Sequence, residues 1–169
     1  MIATSHVIIG GAVGVAVGAV SQNPALGLAT GIASHLVCDL LPHLDGPINP
    51  PLSPDGEIQW SKGLLTFAIA DSLLAFLIVL VIWHYRDNFN FFSMFAWGAG
   101  GGYLPDLVDN LPLWAKKLHQ FSLFKQFHTL HLAIHETWRA HFPMSRFWPL
   151  GIATQVVTVL PCLWYLLRK

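Results

Sequence analysis

The feature that most constrains this chain is the apolar run over residues 63–83, bracketed by Lys62 and Arg86. It meets the length of about 20 residues that a helix needs to cross the hydrocarbon core of a bilayer. Cations just outside such a run suit the interface. A helix apolar on every side has no solvent face, so it belongs in lipid or at the centre of a large protein. With 169 residues, only 11% of them charged and 54% hydrophobic, the chain is poor material for a soluble core; soluble domains carry about 25% charged residues. A second full-length run covers 147–167 and ends in Arg168-Lys169. Segments 7–20, 25–41 and 89–104 are shorter apolar runs. The first has glycines at 10, 11, 14 and 18, and the third ends in Gly98 to Gly102, small residues that let a neighbouring helix approach.

The expected fold is therefore all-α: one domain over residues 1–169, an integral membrane bundle of about five apolar segments plus an amphipathic interfacial helix over 114–141. The early His6 and the lack of a basic leader mark 7–20 as a retained helix, not a signal. Residues 46–61 read as a proline-rich loop, and Leu104-Pro105-Asp106 is expected to break the fourth helix at the water boundary.

Several function classes drop out. Nine basic and nine acidic residues cancel, so there is no electrostatic case for nucleic acid. Cys38 and Cys162 lie far apart in apolar runs and read as buried thiols, not as a disulfide framework. The glycines of 98–102 lack the spacing of a phosphate-binding loop, and no Ser or Cys sits in a nucleophile elbow.

Histidine is the surplus residue, with nine copies. Ser34-His35-Leu36-Val37-Cys38-Asp39-Leu40-Leu41-Pro42-His43-Leu44-Asp45 closes an apolar run with two imidazoles and two acids. On a helix His35 and Asp39 stand at i and i+4 on one face, and Pro42 turns the chain so that His43 and Asp45 follow nearby. The bland alternative is a polar helix end with His35 and Asp39 bonded to each other. His128, His131 and His135 share one face of a later helix; a freely titrating surface is the alternative there. Asp106 and Asp109 lie three apart. Asp71, inside the 63–83 run, is a functional suspect or a helix-bridging group.

Threading the five segments as antiparallel neighbours puts every histidine but His84, and every acid but Asp87, on or just below one surface. Lys62, Lys116, Lys117, Lys125, Arg139 and Arg146 join them, against Arg86, Arg168 and Lys169 opposite, so that surface is expected to be cytoplasmic.

A histidine after small residues before a glycine-rich helix, Ser34-His35-x-x-x-Asp39 and Leu104-Pro105-Asp106-x-x-Asp109 together resemble the bacterial membrane-bound metal-dependent hydrolases, inner-membrane proteins classed as a domain of unknown function. That family is similar in turn to zinc-dependent phospholipase C and P1 nuclease, all-helical enzymes with His and Asp/Glu ligands. The likeness covers most of the first 110 residues loosely. It implies metal ligands at His6, His35, Asp39 and Asp106. Two departures stand out: the family's Thr-His-Ser segment is missing, and Leu-Pro-Asp follows Ser-His-x-x-x-Asp instead of preceding it. His128, His131 and His135 are the candidates to replace the missing histidine.

The metal-ligand candidates are thus His6, His35, Asp39, His43, Asp45, Asp106, His128, His131 and His135, with Asp109 or Glu136 as general base. Imidazole with carboxylate suits Zn²⁺, with Mn²⁺ and Fe²⁺ as alternatives. The expected activity is hydrolysis of a phosphoester, small or lipid-linked, by a metal-activated water. A non-catalytic carrier of metal ions or protons is the alternative; it needs polar groups reaching the far side, where only His84 and Asp87 lie.

Overall fold

The computed structural model describes residues 1–45, 51–54, 56–139, 141–142 and 144–168. The expected loop at 46–61 therefore falls partly outside the described residues, as does Lys169. The described residues form seven helices: α1 (Ala3–Ser21), α2 (Pro24–Asp39), α3 (Lys62–Tyr85), α4 (Phe89–Asn110), the short α5 (Ala115–Leu118), α6 (Ser122–Arg139) and α7 (Met144–Leu167). Leu52 and Ile58 make an isolated antiparallel bridge within the loop before α3.

The helix starts follow from local chemistry. Asn23 caps α2 by accepting from the Ala25 N–H at 3.0 Å, with Pro24 at the first helical position. Ser61 caps α3 through Leu64, and Asn88 caps α4 through Phe91, each at 3.1 Å. These bonds satisfy amide hydrogens that the first turn leaves without helical partners. Helix α1 has no side-chain cap of its own. The carboxylate of Asp71, from the third turn of α3, accepts from the N–H groups of Ala3 at 2.6 Å and Thr4 at 3.3 Å instead. Of the two roles open to Asp71, it fills the bridging one.

Among the described residues three helices are long and apolar enough to cross a membrane, Ala3–Ser21, Lys62–Tyr85 and Arg146–Leu167, fewer than the five expected. Helix α2, at 16 residues, is too short to span, and in α4 the glycines and polar end dilute the apolar run. What they have in exchange is close packing. Helix α1 runs antiparallel to α4, with Gly10 beside Gly98 and Gly102 and Gly14 beside Met94 and Gly98, while α2 lies along the same α4 face through Gly27 and Gly31. A methyl group at Gly31 would strike the carbonyl oxygen of Gly98, and one at Gly98 that of Gly10. Backbones this close exclude any side chain at the crossings. Helix α1 is consequently two-thirds buried, whereas α3 and α7 turn Leu73, Phe76, Val157 and Trp164 outward.

Two boundaries differ from expectation. Helix α4 runs through Pro105 to Asn110. A proline removes one ladder bond and loosens that turn, but packing against α1 and α2 holds the helix together. The stretch 114–141 is two helices, not one, separated around His119 to Phe121.

Candidate metal centre

The fold brings the N-terminal turn of α1, the C-terminal turns of α2 and α4 and the middle of α6 to one end of the bundle. Asp39 is the focus, with its side chain wholly buried. Four imidazole nitrogens face its two oxygens: His6 Nε2 at 3.2 Å, His35 Nε2 at 2.9 Å, His131 Nε2 at 3.3 Å and His135 Nε2 at 3.4 Å. The His35 and His131 nitrogens are themselves 3.2 Å apart. A tetrahedron of ligands about 2.0–2.1 Å from a zinc-sized ion has edges of about 3.3 Å, a spacing these contacts match as closely as they match hydrogen bonds. The Met1 ammonium also reaches Asp39, at 2.8 Å.

Three overlapping groups have ligand atoms within 4.8 Å of one another: His6, His35 and Asp106; His35, Asp39 and His131; Asp39, His43 and His135. His43 Nε2 lies 2.7 Å from Asp45 Oδ1, and His135 Nδ1 lies 3.5 Å from Asp45 Oδ2. Eight of the nine expected ligands thus gather here. The ninth, His128, lies 3.0 Å from Asp109 in a separate group with His119 and Glu57. Glu136 is exposed and belongs to none of these groups.

The outward nitrogens decide what the inward ones can do. His35 Nδ1 lies 2.7 Å from the Gly102 carbonyl, His43 Nδ1 2.7 Å from the Leu41 carbonyl and His131 Nδ1 2.9 Å from Asp109 Oδ2. Each acceptor takes an N–H, so a neutral ring at each position carries its proton on Nδ1 and turns the Nε2 lone pair inward. Such backing of a ligating imidazole by a carbonyl or carboxylate is the usual outer shell of a metal site. His6 Nε2 is buried 3.2 Å from Asp39 Oδ1 without a hydrogen bond, as a lone pair aimed at a cation would be. The residues therefore fit a divalent metal.

Electrostatics point the same way. Among the described residues, Asp39, Asp106 and Asp109 pair with histidines and the Met1 ammonium, never with Lys or Arg. Burial alone would raise the carboxyls of Asp45, Asp106 and Asp109. Neighbouring histidines outweigh it and hold all three below their ordinary range: chiefly His43 for Asp45, His35 for Asp106 and His131 for Asp109. For His131 burial opposes the charged form, but bonds to Asp109 and Asp39 lift its pKa to about 10. Asp109 is itself buried with both oxygens engaged, Oδ1 by His119 and His128 and Oδ2 by His131.

A cavity of about 370 Å³ opens onto this end of the bundle. Its walls are mainly apolar, with Trp60, Leu64, Phe67 and Tyr103 among them, and Asp106, His131 and His135 lie where it meets the centre.

Sequence reasoning passed over Glu57, His119 and Trp138. Trp138 donates its indole N–H to the Asp39 carbonyl at 3.0 Å. Glu57 and His119 are distant in sequence from every motif. The only local signal for either was a histidine beside the basic pair Lys116-Lys117. Comparison of the chain with family models, curated proteins and solved structures gives no match.

Proposed function

We propose that this protein is a membrane-embedded, metal-dependent hydrolase of phosphoester bonds, acting on a lipid or lipid-linked substrate. The observation that carries the reading is a fully buried carboxylate, Asp39, ringed by four imidazole nitrogens at 2.9–3.4 Å. His35, His131 and Asp39 would hold one ion, and Asp39 is shared with the group containing His43 and His135, as a carboxylate between two ions is. Zn²⁺ suits this donor set best, with Mn²⁺ and Fe²⁺ as alternatives. A divalent ion supplies Lewis acidity and a water acidified toward neutrality.

The chain's own residues do the rest. Asp106 is the most open of the carboxylates at the centre, its side chain 22% exposed against 14% for Asp45 and 4% for Asp109. It is the one placed to take a proton from water at the cavity floor. Asp109, expected from sequence as a general base, serves instead as a positioning residue, since both its oxygens are bound to histidines. The apolar cavity suits an acyl or prenyl chain, leaving the phosphoester at its polar end. The three apolar helices support a place in the membrane, and the six Lys and Arg on the side of the centre, against three opposite, support the cytoplasmic side of an inner membrane.

The test is elemental analysis and phosphodiesterase assay of the detergent-purified protein, comparing Asp39→Asn with His84→Ala. The wild type and His84→Ala should hold metal around Asp39 and turn over a phospholipid, while Asp39→Asn keeps its helical circular dichroism but loses turnover and the metal bound around Asp39. Equal metal content in the two variants, or full turnover by Asp39→Asn, would overturn the reading.

A further inference from the structure

We infer that Glu57, His119 and His128 form a second divalent-cation site, built from side chains separate from those around Asp39. The three residues each bring a ligand atom within 4.8 Å of the others. They come from three places in the chain: the turn before α3, the C-terminal cap of α5 and the first half of α6. The two imidazoles stack, with centroids 4.1 Å apart.

Proton placement argues for a cation. Asp109 Oδ1 lies 2.9 Å from His119 Nε2 and 3.0 Å from His128 Nδ1. An ionised carboxylate only accepts, so both of those nitrogens carry protons. In neutral rings the remaining nitrogens, His119 Nδ1 and His128 Nε2, are then lone pairs. His119 Nδ1 faces Glu57 Oε1 at 2.8 Å, acceptor against acceptor, and His128 Nε2 is buried with no hydrogen-bond partner. One positive ion among the three resolves both conflicts. A proton on His119 would resolve the first and leave His128 Nε2 orphaned.

The local backbone is built to present Glu57. Gly56 donates its N–H to the Ser53 carbonyl at 2.9 Å, and Glu57 donates its own to Ser53 Oγ at 3.1 Å. Gly56 has φ +82°, where a side chain would be strained, and a Cβ there would crowd His128 Nε2 and Leu132. Two imidazoles and one carboxylate, with a fourth position open, are a zinc-type donor set. Because Leu52, Gly56, Ile58 and Trp60 also line the cavity, an ion here would tie that wall of the cavity to α6.

The inference stands apart from the hydrolase reading and is tested without activity. Full-length protein in detergent is stripped with chelator, reloaded with Co²⁺ and desalted, and bound cobalt is counted in wild type, Glu57→Gln, His119→Gln and Asp39→Asn. Glu57→Gln and His119→Gln should each lose the same single equivalent and keep the rest. Asp39→Asn should keep that equivalent and lose others. Trypsin should cleave at Lys62 faster in stripped than in loaded wild type, and equally fast in stripped and loaded Glu57→Gln. If His119→Gln does not fold, Glu57→Gln decides, since that side chain is 31% exposed. Wild-type cobalt content in Glu57→Gln, loss of all cobalt in it, or loss of the Glu57-dependent equivalent in Asp39→Asn would each overturn the inference. A protein that holds this equivalent yet hydrolyses nothing would retain the second site while sinking the enzyme.

Discussion

Asp109→Asn separates a positioning carboxylate from a catalytic base. In the wild type, one carboxylate receives three imidazole N–H groups, two on Oδ1 and one on Oδ2. An amide has one oxygen and one NH₂. With NH₂ at the Oδ1 position it would confront two N–H donors, so the amide settles with its oxygen there and its NH₂ toward His131 Nδ1. Once His131 gives up its second proton, it relieves the clash by keeping the remaining one on Nε2, the nitrogen that faces Asp39. To bind metal it must move the proton back and restore a buried donor–donor conflict. An unsatisfied buried donor costs about 1–3 kcal/mol, and loss of an outer-shell partner typically weakens metal affinity by about 10–100-fold. At about 1.4 kcal/mol per tenfold, the two ranges agree. The assay is competition for Zn²⁺ between stripped protein and a chromophoric chelator, with the His131 tautomer read from its ¹⁵N shifts. An affinity within about twofold of wild type, joined to lost turnover, would refute the positioning role and restore the general base.

Three further outcomes are expected. His131 has a pKa of about 10 in the metal-free fold against 6.5 for a free imidazole, and a raised pKa favours folding below the ordinary value and loses that contribution as pH rises through the higher one; thermal scans of stripped protein should fall between about pH 7 and 10, and Zn²⁺ added at pH 8 should release about one proton from this ring, which unchanged buffer uptake would contradict. Gly98→Leu, placed where a methyl already meets the Gly10 carbonyl, should lower stability by at least the roughly 1–3 kcal/mol of an overpacked core, seen as a lower melting point in detergent; an unchanged melting point would show that α1 and α4 do not pack this closely. Asp71→Ala should cost about 0.5–2 kcal/mol, the worth of a lost helix cap, while Ser72→Ala, which removes only a contact with the Tyr103 hydroxyl, should cost less; the reverse order would argue against the cap.

What the sequence made legible was local. His35 and Asp39 lie one turn apart, and helical geometry alone brings them to 2.9 Å. His131 and His135 share a face, and both reach Asp39. The span count was less legible, because hydropathy cannot tell a glycine-rich helix that faces lipid from one pressed against another backbone. The signal of Pro105 misled for a related reason: its cost to an isolated helix is fixed, but α1 and α2 pack against the same turn. Glu57 and His119 carried no pattern, since the turn at Ser53 and the break after α5 bring them together only in three dimensions. Assigning His128 to the Asp39 centre followed its spacing along α6, whereas Asp109 draws it to the other side.

The ligands around Asp39 run from His6 in the first turn of α1 to His135 near the end of α6. No early portion of the growing chain can hold the complete set. When only α1 and α2 have been made, His6, His35 and Asp39 have one another but lack the α6 imidazoles, and the α1 amides wait for Asp71 until α3 arrives. Closing contacts over such long stretches of chain is slow, and affinity gained only on closure becomes folding free energy. On the proposed function, metal loading would be a late event in biogenesis, and a cell starved of the ion would accumulate loosely assembled chains, recognisable by faster clearance.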